Sequence, residues 1–241
     1  MTILCIETST SVCSAAIWKD GSLIKQCINY EGSNHARLLP LYIEELLAYA
    51  RENQLPIEAV ALSEGPGSYT GLRIGTATAK GLCYGLNVPL IPVPTLEVLC
   101  EAARKRLAIS DERLAVFIPM IDARRMEVYT SVMVNGEWMN GERAKAVVVE
   151  NEESFIANSQ KLTADSPVYY FGDGAEKCQK VFTKPNWHYI PNIVPEAQYV
   201  GVLAENRKSK IENRESVDIA YYEPFYLKEF VAAQSHVKGL V

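Results

Sequence analysis

A chain of 241 residues carrying a formal net charge of −5, with 48% hydrophobic and 22% charged residues, is long enough for one large domain or two lobes with a core each. The acidic balance argues against a protein that binds nucleic acid by itself, and no apolar run reaches the roughly 18 residues of a membrane span. Six cysteines without a C-x-x-C pair read as buried free thiols of a reducing compartment, and three scattered histidines (His35, His188, His236) lack the spacing of a metal site. With Ile3 already in a strand and no basic leader before it, the expectation is a cytoplasmic protein without a signal peptide.

Ile3 to Glu7 and Ser14 to Lys19 read as strands, and Asp20-Gly21 then turns the chain into a third, Ser22 to Tyr30. From Asn34 to Arg51 the pairs Leu38/Leu39, Tyr42/Ile43 and Leu46/Leu47 repeat at helical spacing, with Leu41 and Tyr49 outside the stripe. The apolar run Ile57 to Leu62 is a strand that enters Gly65-Pro66-Gly67, where the chain must reverse.

The helix predicted next, Thr70 to Leu86, is poor in side chain. Gly71, Gly75, Ala79 and Cys83 form one row at four-residue spacing; Ala77, Gly81 and Gly85 form a neighbouring one. Its four interior glycines cost about 3–4 kcal/mol against alanine, so close approach of another backbone must compensate, inside the fold or across a subunit interface. Glycines opening a helix also suit an anion, but no Lys-Ser/Thr pair follows at P-loop spacing. A strand from Pro89 to Pro94 and a helix capped by Thr95 and running to Leu107 complete a first unit.

The second half repeats the first. Leu114 to Ile121 is a strand ending at Asp122, Glu127 to Val134 is another, and Asn135-Gly136 makes the hairpin. Glu7 to Asp20 and Asp122 to Asn135 are both thirteen apart. Val168 to Phe171 leads through Gly172-Asp173-Gly174 into a predicted helix, as Ile57 to Leu62 leads through Gly65 and Gly67. This is a degenerate internal duplication. The expected fold is therefore α/β and duplicated, an actin-like, Hsp70-like two-lobe (ASKHA, ribonuclease-H-like) architecture of mixed sheets covered by helices. The lobes are expected at 1–108 and 109–241, closely packed because only the polar stretch Ala108 to Arg113 separates them.

Three separated stretches in order, His35-Ala-Arg-Leu-Leu-Pro40, Ser63 to Gly75 and Asp122-Ala-Arg-Arg-Met-Glu-Val-Tyr129, resemble the bacterial TsaB (YeaZ) family, with a thinner likeness at Pro224, Tyr226 and Leu227. That family is the non-catalytic paralogue of TsaD in synthesis of threonylcarbamoyladenosine in tRNA. The resemblance implies a scaffold subunit that dimerises with a TsaD-like paralogue through the helices 34–51 and 70–86. It would work beside a TsaE-like ATPase and reach tRNA through the complex, with a homodimer in isolation and no membrane contact. On this reading the interface residues are Leu38, Leu41, Tyr42, Glu45, Tyr49, Leu72, Gly75, Thr76, Ala79 and Cys83.

The nucleotide cleft of such a fold would be vestigial, with Thr8, Ser9 and Thr10 in the first turn and Gly172 and Gly174 in the second lobe. The first turn keeps hydroxyls and donors; the second has Arg124 and Arg125 where glycines belong, residues more often used in salt bridges or interfaces than in phosphate binding. No cofactor is required and at most weak nucleotide binding is expected. Aligned by the strand Pro89 to Val93, the metal-binding histidines of TsaD-like proteins fall on Thr95 and Leu99, which cannot replace them, and only Glu97 between them keeps a carboxylate. No catalytic residue is assigned. The alternative is an actin-like kinase or ATPase acting on a small molecule; a third reading is a homodimeric binding module unconnected with tRNA.

Overall fold

The computed structural model describes residues 1–32, 34–108, 115–151, 166–207 and 217–228. Leu114, the stretch 109–113 and His236, named above, lie outside them.

The first sheet is built from β1 (Thr2–Glu7), β2 (Cys13–Lys19), β3 (Ser22–Asn29), β4 (Ala59–Gly65) and β5 (Leu90–Pro94), in the order β3-β2-β1-β4-β5. The second contains β6 (Val116–Asp122), β7 (Glu127–Thr130), β8 (Met133–Val134), β9 (Glu137–Trp138), β10 (Lys145–Val148), β11 (Val168–Phe171) and β12 (Trp187–Ile190). Its main path runs β10-β7-β6-β11-β12. Strand for strand this is the first sheet again: β1 is antiparallel to β2 and parallel to β4, and β6 is antiparallel to β7 and parallel to β11. The duplication read from spacing is thus the topology of the fold.

Both hairpin turns use the left-handed pair their sequences suit: Asp20 and Gly21 have φ of 46° and 81°, Asn135 and Gly136 of 55° and 75°. The single strand expected over Glu127 to Val134 is broken into β7 and β8 at Ser131-Val132. Thr130 and Ser131 there turn their hydroxyls to the carbonyls of Pro119 and Glu142.

Among the described residues four helices cover the sheets: α1 (His35–Glu52), α2 (Tyr69–Leu86), α3 (Thr95–Leu107) and α4 (Ala197–Glu205). Pro40 is accommodated within the second turn of α1, and Ser68 rather than Thr70 caps α2, its hydroxyl accepting from the Gly71 N–H. Pro94 occupies the N-cap of α3, so Thr95, expected as the cap, lies inside the helix. Its hydroxyl is buried without a hydrogen-bond partner.

The helix expected after Gly174 is a single 3-10 turn, Glu176–Cys178, continued by i to i+3 bonds such as Val181 N–H to the Cys178 carbonyl. Pro185 bars a helix from continuing past this segment.

α1 and α2 bury Leu39, Ile43, Leu46, Ala79 and Cys83 against one face of the first sheet. α4 covers the other face with Ala197, Val200 and Ala204. It is fastened there by Trp18 Nε1, which donates to Glu205 at 2.7 Å, and by Ser14, whose hydroxyl accepts from Ala197 N–H at 2.9 Å. Any side chain at Gly201 would meet the Trp18 ring 2.7 Å away. The division after residue 108 therefore does not follow the chain: α4, and after it Val217, Ile219 and Tyr222, return to the first core. Helix α3 joins the halves, since Leu96, Leu99, Cys100 and Ala103 pack with Phe117, Ile121, Met133 and Phe171 of the second sheet.

Candidate functional site

The loops after β1, β4, β6 and β11 and the segment 226–228 converge on a cleft of about 560 Å³ between the lobes, within the size of small-molecule sites. Ser9, Thr10, Gly67, Asp122, Arg124 and Asp173 are among its lining residues.

The first phosphate turn is occupied by its own chain. Thr8, Ser9 and Thr10 are all buried. Thr8 donates its hydroxyl to the Gly71 carbonyl at 2.9 Å, and Thr10 Oγ1 accepts from Val12 N–H at 3.3 Å. Ser9 donates both its N–H, at 2.7 Å, and its hydroxyl, at 2.5 Å, to Glu7 Oε1. Both Ser9 donors expected to face a phosphate are thus spent on a carboxylate at the end of β1, and the Thr8 hydroxyl on a carbonyl of α2.

Glu7 is itself fully buried, and Ser63 donates its hydroxyl to the other carboxylate oxygen. Desolvation pushes the Glu7 pKa above its ordinary value despite these hydrogen bonds, which pull the other way. His35, at the start of α1, lies under the same turn with Nε2 3.2 Å from the Val12 carbonyl oxygen, and burial lowers its pKa.

The glycines before and within α2 serve this closure. A Cβ at Gly67 would press on Ser9, one at Gly71 on the Thr8 carbonyl oxygen, and one at Gly75 on the Thr8 hydroxyl. Gly65, with φ of 119°, lies under the backbone of Phe225, whose N–H donates to the Glu64 carbonyl at 2.7 Å.

In the second lobe Gly172, with φ of 107°, and Gly174 lie so close to the backbone of Met120 and Ile121 that no Cβ fits. Their backbone packs on β6, and Gly174 N–H donates to the Met120 carbonyl at 3.1 Å. They shape the wall of the cleft; Asp173 between them, which accepts from Asp122 N–H at 2.9 Å, is the residue that lines it.

Arg124 and Arg125 occupy the turn between β6 and β7 with φ of 72° and 51°. Both are exposed, and neither forms an ion pair with a carboxylate among the described residues, contrary to the salt-bridging role paired arginines usually take. Asp122 is instead paired with Lys177, and Glu127 with Lys228.

The positions matching the TsaD histidines lie in the core shared by the lobes: Thr95 and Leu99 are both fully buried, and Glu97 is paired with Arg207. Among the described residues no three His, Cys, Asp or Glu side chains come together as a metal site would need, and no helix is long and apolar enough to cross a membrane.

The expected interface residues separate into two groups. Leu41 and Glu45 are exposed and Leu38, Tyr42 and Tyr49 half-buried, with Glu45 paired to Lys25 at 2.8 Å and the Lys25 ammonium over the Tyr49 ring. Leu72, Gly75, Thr76, Ala79 and Cys83 are buried inside the chain and present no surface. Their row faces Thr8 and the first sheet. The other row of α2 is the open one: Ala77, Gly81 and Gly85 are exposed, nothing lies within 4 Å of a Cβ built on Gly81 or Gly85, and Tyr84 is 84% exposed beside them. Both rows are visible in the sequence, but only packing decides which of them faces out.

This double sheet with a cleft between its halves defines a protein of actin-like fold. The family model described as TsaD, tRNA N6-adenosine threonylcarbamoyltransferase, matches residues 30–235. The protein named tRNA threonylcarbamoyladenosine biosynthesis protein TsaB from Haemophilus influenzae is 30% identical over 240 residues, covering 96% of this chain and 95% of that one. Its namesake from Bacillus subtilis is 27% identical over 95% and 94%. YeaZ from Pseudomonas aeruginosa superposes with a TM-score of 0.72 at 26% identity, over 94% of this chain and 99% of that one. The chain belongs to the TsaB family.

Proposed function

We propose that this chain is a non-catalytic scaffold subunit of the tRNA adenosine(37) N6-threonylcarbamoyltransferase complex, and that it binds and activates a TsaD-like paralogue. The observation that carries the reading is the contrast between cleft and helix. In the first turn both Ser9 donors are taken by Glu7 and Gly67 packs on Ser9, whereas α2 holds a bare row, Ala77-Gly81-Gly85, open to a second helix pair. Small exposed residues let helices approach closely, and Tyr84 beside the row and Leu41 on α1 are exposed apolar side chains a partner would cover.

On this reading no cofactor is required, any nucleotide binding is weak, the TsaE-like ATPase and tRNA join through the complex, and the same helix face supports a homodimer when the paralogue is absent. The experiment is co-purification and reconstitution. Modification of tRNA should need both this chain and the TsaD-like enzyme. Gly81→Arg, which meets no atom of its own chain at Cβ and gains helix propensity, should abolish co-purification without lowering the unfolding midpoint. A TsaD-like enzyme indifferent to this chain would refute the proposal. The size of the cleft keeps one alternative, an actin-like kinase or ATPase; robust ATP hydrolysis by the isolated chain would favour it.

A further inference from the structure

We infer that the mouth of the interlobe cleft is a contact surface for single-stranded RNA, with phosphates on Arg124 and Arg125 and a base on the tyrosines of the rim. The inference rests on the reading above for its choice of RNA.

The first observation is a conformational cost. Two consecutive arginines are held in the left-handed region, where each residue with a Cβ costs about 1–2 kcal/mol and glycine costs almost nothing. No packing within the described residues calls for arginine here: both side chains are exposed, and Arg124 is held through its backbone, its N–H donating to Asp122 Oδ1 at 3.2 Å and its carbonyl accepting from Glu127 N–H at 3.1 Å. A strained backbone that holds two guanidinium groups without a carboxylate partner among the described residues, Arg124 on the cleft wall and Arg125 next to it in the turn, points to an anion from outside.

The second observation is aromatic and independent. Tyr69 and Tyr226 stack with centroids 4.9 Å apart, the Arg73 guanidinium lies 5.4 Å from the Tyr69 ring, and Tyr129 lines the same cleft as Arg124 and Lys228. Cationic groups interleaved with rings are what a single strand needs, since bases stack on tyrosine and arginine while the backbone follows the charge.

The nearby acids do not cancel this. Asp122 and Glu127 are matched by Lys177 and Lys228, and Asp173, which lines the same cleft and accepts the Asp122 N–H, has Lys177 as its nearby cation. Glu223 is a further carboxylate near Tyr226. With a net charge of −5 the chain alone would hold RNA weakly, so the surface serves a complex in which the partner carries most of the affinity.

The test uses the double variant Arg124→Gly/Arg125→Gly, which relieves the left-handed strain and should unfold no earlier than the parent. In the complex with the TsaD-like partner, binding of labelled substrate tRNA is followed by anisotropy between 50 and 200 mM salt. Losing two phosphate contacts should lower the slope of log affinity against log salt by about 1.4. In the parent chain, 4-thiouridine tRNA should crosslink to peptides containing Tyr69, Tyr129 or Tyr226. An unchanged slope with crosslinks elsewhere would overturn the inference. Loss of AMP or ATP binding in the double variant with tRNA binding intact would also overturn it, assigning the site to a free nucleotide. Failure of the parent chain to co-purify with the paralogue would count against the proposed function alone, because crosslinking of the isolated chain at low salt still decides the RNA surface.

Discussion

Gly71 and Gly81 stand on one helix, ten residues apart, and alanine should act on them in opposite directions. In both places Gly→Ala gains about 0.8–1.0 kcal/mol of helix propensity. At Gly81 nothing lies within 4 Å of the new Cβ, so nearly the whole gain survives: roughly 0.5–1 kcal/mol, or about 1–4 °C at the midpoint for a chain of this size. At Gly71 the Cβ overlaps the Thr8 carbonyl oxygen, a backbone atom of a buried turn, and Thr8 also donates its hydroxyl to the Gly71 carbonyl at 2.9 Å. Overpacking costs about 1–3 kcal/mol where side chains can yield. Backbone yields less, so the upper end applies and the net change is a loss of about 2 kcal/mol. Urea unfolding followed by circular dichroism, with the midpoint compared at unchanged m, reads both values. If the two variants shift the midpoint the same way, the assignment of the two rows is wrong, and with it the claim that Ala77-Gly81-Gly85 faces out.

Two further outcomes follow from the buried titratable groups. Glu7 binds its proton more tightly folded than unfolded, so its contribution to stability is complete below the ordinary glutamate pKa of 4.5 and is lost as pH rises through its raised folded value. The stability difference between parent and Glu7→Gln should therefore move in favour of the glutamine variant as pH rises from 4 to 7; parallel curves from urea titrations would contradict the burial of Glu7. All six thiols are buried, and desolvation holds Cys13, Cys83 and Cys178 at about 11 and Cys5 higher still. A thiol reagent at pH 8 should react with fewer than one cysteine per folded chain within minutes and with all six in denaturant, while fast reaction of several would show that α2 opens from the first sheet.

The sequence by itself determined the repeat and the elements of the first half in their order, because those depend on short-range chemistry; β10, β12 and α4 were not read from it. Asp20-Gly21 and Asn135-Gly136 specify hairpins through local φ, the thirteen-residue spacing marks equivalent strands, and a four-residue recurrence of small side chains marks a helix with bare faces. What it left open were matters of direction and closure. Gly75, Ala79 and Cys83 had the composition of a docking stripe, yet the turn after β1 already occupies that row, and only the placement of Thr8 against α2 shows it. Thr8, Ser9 and Thr10 had the donors of a phosphate cradle; Glu7, folded back under them, takes up those of Ser9. The return of α4 and residues 217–228 to the first lobe depends on partners such as Trp18 and Lys80 that lie well over a hundred residues away. Contacts at that separation leave no periodicity in a sequence, since the chain's own spacing records neighbours along a helix or strand and not what the completed fold lays across them.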